Sequence, residues 1–266
     1  MSHAFSSHKE PEETFLPVDA GLYAEFYSIE MDHFTQDIPF YQKNCQDSTL
    51  LLELGCGTGR ISHALGSSGL KVIGLDLSRD MLRRARELHG DTAAWVCMDM
   101  TEMAFCSRFN HILLPYNTLN LLRDRRVIGK CLRRCHDHLE DDGFLLAQIH
   151  IPDSRISDSS GEKVFQFQIF PMADGGKLIK ETLRSYDPGS QEIILEERYR
   201  PRPALQGGSR DNFRNTLRLA GFSLQQWLQL FTENGFPAIS LHGDYNSRPF
   251  REKTDTTLLL KASPKP

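Results

Sequence analysis

An apolar run that breaks into three alternating glycines constrains this chain more than any other feature. Leu51, Leu52, Glu53 and Leu54 read as a strand, Gly55-Cys56-Gly57-Thr58-Gly59 as a loop, and residues 60–67 as a helix. Glycine adopts φ > 0 without strain and has no Cβ to block a close approach. The free N–H groups at the start of the following helix attract a polar or anionic group. The segment is therefore a strand–loop–helix turn at which backbone meets a ligand. Its spacing is G-x-G-x-G, not the G-x-G-x-x-G of dinucleotide oxidoreductases, which points away from a nicotinamide dinucleotide.

The pattern downstream of this turn extends it into a fold. Strands are expected at 49–54, 71–75, 93–97, 111–114 and 144–150, alternating with helices at 60–67, 79–88 and 125–139. Ser78 caps the second of these helices and Gly90 closes it. A helix at 224–234, between Ser223 and Gly235, and strands at 238–243 and 256–261 end the pattern. Continuous apolar strands alternating with helices imply a mostly parallel sheet covered on both faces. The expectation is an α/β, Rossmann-like, seven-stranded sheet. Upstream, aromatic and acidic residues at helical spacing over 16–47 predict one or two helices, and 1–15 reads as a flexible tail. Between 153 and 215 the pattern changes to strands at 164–170, 177–186, 191–199 and 212–218, with polar loops at 153–162 and 201–210. This block is an antiparallel β insertion, expected to act as a lid on a core formed by 16–152 and 216–266.

Composition narrows the functional class. The 266 residues are 39% hydrophobic and 25% charged, with a formal net charge of −4. That balance suits a globular protein and gives no positive field to recruit nucleic acid or an anionic membrane. No apolar run is long enough to cross a bilayer. The first residues lack the apolar core of a secretory signal, so a cytoplasmic protein is expected. Six cysteines stand at 45, 56, 97, 106, 131 and 135 without a C-x-x-C pair, and no metal site is expected. Cys131, Cys135 and His138 fall on one helix face, where packing explains them.

Ligands of open α/β sheets lie beyond the carboxyl ends of the strands. There the sequence places the three glycines, then Asp76 followed by Leu77, then Asp99 followed by Met100, then Leu114-Pro115-Tyr116-Asn117, and finally His150. A carboxylate after the second strand can accept two charge-assisted hydrogen bonds from a vicinal diol such as a ribose. Asp99 can accept from an exocyclic amine, with the Met100 N–H aimed at a ring nitrogen. Leu77 and Met81 offer apolar faces to a flat ring. Together these positions describe a nucleoside pocket.

In this order LLELGCGTGR, VIGLDLSRDM, WVCMDM and FNHILLPYNTLNLL resemble the motifs of class I S-adenosylmethionine-dependent methyltransferases. The layout is similar to that of small-molecule methyltransferases with a β insertion after the fifth strand, such as glycine and amino-sugar N-methyltransferases. LHGDYNSRPF and TTLLLKA resemble that subgroup's last strand pair. The resemblance implies S-adenosylmethionine as cofactor and a small-molecule acceptor. It implies that Gly55, Gly57 and Gly59 border the methionine part, with Glu53 holding the loop or the amino group. Asp76 would hold the ribose, and Asp99 and Met100 would read adenine. Leu114 and Pro115 would present carbonyls near the methyl group, and Tyr27 and Arg60 would meet the cofactor carboxylate.

Methyl transfer from a sulfonium is an in-line displacement that proximity and orientation can drive, and a base is needed only when the nucleophile arrives protonated. Relatives in this subgroup often carry a histidine a few residues after the fourth strand; Leu121 stands there in this chain. His150 is the substitute base, and Tyr116 and Asn117 are candidates for orienting the substrate. The inner face of the insertion, with Phe165, Phe167, Phe170, Lys180, Arg184, Tyr199 and Arg214, would set substrate choice. Two other readings stay open: an RNA-modifying methyltransferase, and a non-catalytic S-adenosylmethionine-binding module.

Overall fold

The computed structural model describes residues 13–152, 163–204 and 211–265. After a short strand β1 (Phe15–Pro17) come helices α1 (Ala20–Asp32) and α2 (Ile38–Cys45). Alternating elements follow: β2 (Leu50–Leu54), α3 (Arg60–Ser67), β3 (Lys71–Asp76), α4 (Arg79–His89), β4 (Ala94–Cys97), β5 (Phe109–Leu114), α5 (Arg125–His138) and β6 (Leu139–His150). Strands β7 (Val164–Pro171), β8 (Lys177–Asp187), β9 (Glu192–Arg202) and β10 (Asn212–Ala220) lead to α6 (Leu224–Glu233), β11 (Ala238–His242) and β12 (Thr257–Ser263).

Seven strands form one sheet in the order β11-β12-β6-β5-β2-β3-β4. The pairs from β6 to β4 are parallel, and β12 runs antiparallel to both β6 and β11. The double covering follows from the side-chain alternation. Leu52, Leu54, Ile112, Leu114, Leu145, Ala147, Leu258 and Leu260 share one cluster with Trp227 and Phe231 of α6 and Cys131 and Cys135 of α5. Their neighbours Leu51, Leu113, Leu146 and Leu259 share another with α2, α3 and α4. Every second residue thus faces the opposite layer, which is why these strands read as continuous apolar runs. Helix ends are set by local chemistry. Asp124 accepts from the Arg126 and Val127 N–H groups at the start of α5, and Ser223 and Gln226 form a reciprocal capping box on α6.

The second sheet has the order β1-β10-β9-β8-β7 and is antiparallel except at β1, which lies parallel to β10. Helix α1 packs on it through Phe26, which stacks on Tyr199 at 5.0 Å between ring centroids. Three details differ from the sequence expectation. Phe15 belongs to strand β1 rather than to a tail, because Phe15–Pro17 finds an open sheet edge at Asn212–Arg214. Strand β10 runs on to Ala220. Residues 1–12, the loop at 153–162 and residues 205–210 lie outside the described residues. A 3₁₀ turn at Thr118–Leu122, which the sequence reading did not foresee, follows β5.

Candidate active site

The glycine loop leaves β2 with Gly55, Gly57 and Gly59 at φ +65°, +56° and +85°. All three lie in the left-handed region that side chains resist. Each glycine also admits a different neighbour. A Cβ on Gly55 would stand 2.3 Å from Thr118 Cγ2, on Gly57 3.1 Å from the Tyr27 ring, and on Gly59 2.5 Å from Trp95. The loop is therefore clasped by the 3₁₀ turn, α1 and β4. Gly55 and Gly57 line a cavity of about 640 Å³ between the two sheets, a volume typical of small-molecule sites. Gly59 does not; its missing side chain accommodates Trp95.

Asp76 closes the end of β3 on the same cavity. One carboxylate oxygen accepts the Gly57 N–H and the other the Ser78 N–H, each at 2.8 Å. Burial pushes the carboxyl above its ordinary range, and the backbone donors oppose that shift. Met81 lines the cavity beside it. The neighbouring positions diverge. Leu77 is 69% exposed, Asp99 is exposed and accepts the Thr101 N–H at 2.8 Å, and Met100 packs against the core. None of the three is part of the cavity lining. Leu114 is fully buried in the core. The Pro115 carbonyl accepts both the Thr118 hydroxyl, at 2.8 Å, and the Thr118 N–H, at 3.2 Å. Both of its lone pairs are engaged within the turn.

A second, small recess of about 20 Å³ lies at the root of the loop, with Tyr27, Glu53, Arg60, Pro115 and Tyr116 in its walls. Burial pushes the Glu53 carboxyl up to about 7, against the pull of a hydrogen bond from the Ser62 hydroxyl at 2.5 Å. Burial also pushes the Tyr27 phenol up. Arg60 is already committed. Its two terminal nitrogens meet both oxygens of the fully buried Asp37 at 2.6 and 2.7 Å, and Nη1 also donates to the Phe34 carbonyl. This fork-to-fork pair ties the α1–α2 connection to α3 and engages three of the guanidinium's five N–H donors.

The opposite wall comes from the five-stranded sheet. Alternation along β7 sends Gln166, Gln168 and Phe170 into the cavity and leaves Phe165 and Phe167 exposed on the outer face. On β8, Lys180, Thr182 and Arg184 face inward. Tyr199 is buried and Arg214 is exposed. His150 lines the cavity at the end of β6. Its backbone exchanges two hydrogen bonds with the Asn120 side chain, and its Nε2 lies 3.2 Å from Arg184 Nη1. A guanidinium can only donate, so this ring nitrogen is the acceptor. Tyr116 and Asn117 also face the cavity, with φ of +48° and +64°. Two consecutive non-glycine residues in the left-handed region are strained, and the turn aims both at the opening after β5. Leu121 stands at the same opening.

The sequence reading named Tyr27 but missed Tyr23, Glu30 and Phe34 of the α1 segment, all of which line the cavity. The signal was present: positions 23, 27, 30 and 34 recur at the period of one helix face.

Comparison with known proteins follows the same outline. Residues 51–143 match the model of a methyltransferase domain family. A putative methyltransferase of Geobacillus sp. (strain WCH70) is 26% identical over 218 residues, which is 81% of this chain and 85% of that protein. Among solved structures, DesVI of Streptomyces venezuelae superposes with a TM-score of 0.74 at 18% identity, covering 93% of this chain and 99% of that one. The sugar N-methyltransferase KedS8 from Streptoalloteichus sp. superposes with a TM-score of 0.70 at 15% identity, covering 99% of both chains.

Proposed function

We propose, for a chain that belongs to the class I S-adenosylmethionine-dependent methyltransferases, that the cavity between its two sheets holds the cofactor against the glycine loop and a small-molecule acceptor beneath the five-stranded sheet. One observation carries this reading. The Asp76 carboxylate is fixed at the cavity wall by the Gly57 and Ser78 N–H groups, and each oxygen retains acceptor capacity for a vicinal diol. The residues present fit a nucleoside with a zwitterionic tail. Met81 gives an apolar face, Gly55 and Gly57 leave room beside the backbone, and Tyr27 covers the loop. The adenine end is proposed to run toward Asp99 and Met100, past the end of β4.

S-adenosylmethionine, when bound, supplies an electrophilic methyl group carried on a sulfonium. The protein's task is then to bring the acceptor into line and keep water out. Holding reacting atoms at ~3–3.5 Å in line can supply about 7–11 kcal/mol through proximity and orientation. Tyr116, Asn117 and the inner residues of β7 and β8 orient the acceptor. In this proposal the insertion, joined by β1 and by the end of β10 at Ala220, is a lid on the core formed by the rest of 16–152 and 216–266. An RNA acceptor suits the chain less well, since a formal net charge of −4 gives no positive field to recruit a polyanion. No helix among the described residues is long and apolar enough to cross a membrane. All six cysteines are free, which suits a reducing cytoplasm.

The test is calorimetric titration with S-adenosylmethionine, S-adenosylhomocysteine and NAD. Binding of the first two and not the third is expected; binding of NAD alone would end this reading.

A further inference from the structure

The five-stranded sheet has two edges of opposite character. On one side it ends in β1, three residues long and closed by Pro17. On the other it ends in β7, whose eight residues, VFQFQIFP, carry no charge. Native proteins blunt an open edge by shortness, proline or charged side chains, because its free N–H and C=O groups template pairing with another chain. β1 follows that rule and β7 does not. The outward side chains of β7 are apolar instead: Phe165, Phe167 and Ile169 are 61%, 52% and 52% exposed. Among the described strands, only β8 pairs with β7.

The direction of the backbone groups of β7 follows from the turn into β8. The Met172 N–H donates to the Gly176 carbonyl at 3.0 Å, and the register from Val164 opposite Arg184 to Pro171 opposite Lys177 is unbroken. In an antiparallel pair, residues that exchange hydrogen bonds alternate with residues that do not. Gln166, Gln168 and Phe170 therefore bond to β8, while Phe165, Phe167, Ile169 and Pro171 turn their backbone to the open edge. Pro171, which has no N–H to offer, falls on the side where proline is tolerated. Phe165, Phe167 and Ile169 thus combine a free backbone with an outward apolar side chain.

We infer that β7 pairs antiparallel with β7 of a second copy of this chain, about a two-fold axis at Phe167. The strand is complementary to itself in that register. Phe167 stands opposite its own counterpart and Phe165 opposite Ile169 of the second copy, each pair exchanging both backbone hydrogen bonds. Aromatic and β-branched pairs of this kind stabilise a ladder. On the other face Gln166 stands opposite Gln168 of the second copy, so the cavity wall to which both residues belong continues across the axis. β7 brings no charge to the axis. Glu181, directly behind Phe167 on β8, is bound to Arg200 of β9 at 2.9 Å.

Area sets the strength of the contact. Two phenylalanines and an isoleucine, each more than half exposed, offer roughly 300 Å² of apolar surface per copy. The backbone edge adds to this, as do the half-buried Leu183 and Ile179, opposite Phe165 and Ile169. Two copies together come toward the ~1,200 Å² at the small end of specific interfaces, so the dimer forms reversibly. Each copy brings one such edge, and the contact is isologous and closes at two.

The experiment is sedimentation equilibrium of the full-length protein over a dilution series, and a monomer–dimer equilibrium is expected. Phe167→Lys sets two ammonium groups across the axis and should leave a monomer with the Tm of monomeric wild type, since the position is exposed. Leu16→Lys, the same change at the β1 edge, should dimerise as wild type does. The register is tested in a Cys97→Ser, Cys106→Ser background, which removes the exposed thiols. Hydrogen-bonded partners have Cα atoms about 5.5 Å apart, within reach of a disulfide. Phe167→Cys, which faces itself, should therefore crosslink on mild oxidation, and Phe165→Cys, which faces Ile169, should not. A wild-type monomer at every concentration, association that continues past the dimer, or a Phe167→Lys protein as dimeric as wild type would overturn the proposal. So would equal crosslinking of the two cysteine variants. The wild-type mass and the crosslinks do not depend on the lysine variant folding.

Discussion

The Gly57 N–H donates to the Asp76 carboxylate over 2.8 Å and so ties the loop after β2 to the end of β3. The bond presets the side chain that is to meet the cofactor, and it makes the loop's shape depend on an acid 19 residues away. Loop conformation and ligand affinity should therefore be linked.

The first consequence concerns Gly55. Its φ of +65° and its 2.3 Å clearance from Thr118 Cγ2 both oppose a side chain. Gly69 has a φ of +96° but open space around it. Left-handed backbone alone costs about 1–2 kcal/mol. Gly69→Ala should lose about that much in denaturant unfolding, and Gly55→Ala clearly more. Equal losses would mean that Thr118 does not press on the loop.

Arg60 and Asp37 form a buried ion pair at the root of the glycine loop, at 15% and 0% side-chain exposure. Removing one partner of such a pair costs about 3–5 kcal/mol, because the other charge is left buried. Arg60→Ala should lower unfolding stability by that order, and Arg60→Lys should recover little of it, since lysine cannot make both bonds. If Arg60→Ala keeps wild-type stability and loses only cofactor affinity, the arginine is a ligand group and not a strut.

Glu53 makes stability depend on pH. Its carboxyl rises from an ordinary 4.5 to about 7 in the fold. Between those values the unfolded chain has lost the proton that the folded chain keeps, so stability falls as pH rises, by at most ~3 kcal/mol across the window. Glu53→Gln keeps the shape and an acceptor for Ser62 without the charge. Its Tm should exceed that of wild type at pH 8 and vary less between pH 5 and pH 8. A Glu53→Gln variant with the wild-type pH profile would contradict the assignment.

His150 has its Nε2 turned toward Arg184. General bases contribute roughly 10²–10⁴-fold to rate. With that nitrogen engaged, His150→Ala should reduce kcat by less than about tenfold at saturating acceptor. A loss in the full range would return His150 to the role of base.

Much of this molecule was legible before any coordinates. The central strands are apolar on both faces, and Ser78, Gly90, Ser223 and Gly235 punctuate the helices, so their order and limits follow from local chemistry. Strand β1 was not legible: three residues ending in proline carry no period, and they form a strand only because β10 offers an edge. Site residues divide the same way. Gly55, Gly57 and Asp76 lie where strand ends must place a ligand. Leu77, Asp99 and Met100 follow their strands in sequence but lie outside the lining of the cavity. The Lys180 contact with Glu30 spans 150 positions, and only the packing of α1 on the second sheet brings it together. No spacing rule reaches that far.

The central claim is that the carboxylate tied to Gly57 is the one that holds the cofactor. Affinity of Asp76→Ala for S-adenosylhomocysteine, measured by titration calorimetry beside wild type, tests it most directly. Each charge-assisted bond lost should weaken binding by about 1.5–3 kcal/mol, or at least roughly tenfold in Kd. An Asp76→Ala protein that binds S-adenosylhomocysteine as tightly as wild type would show that the cofactor lies elsewhere.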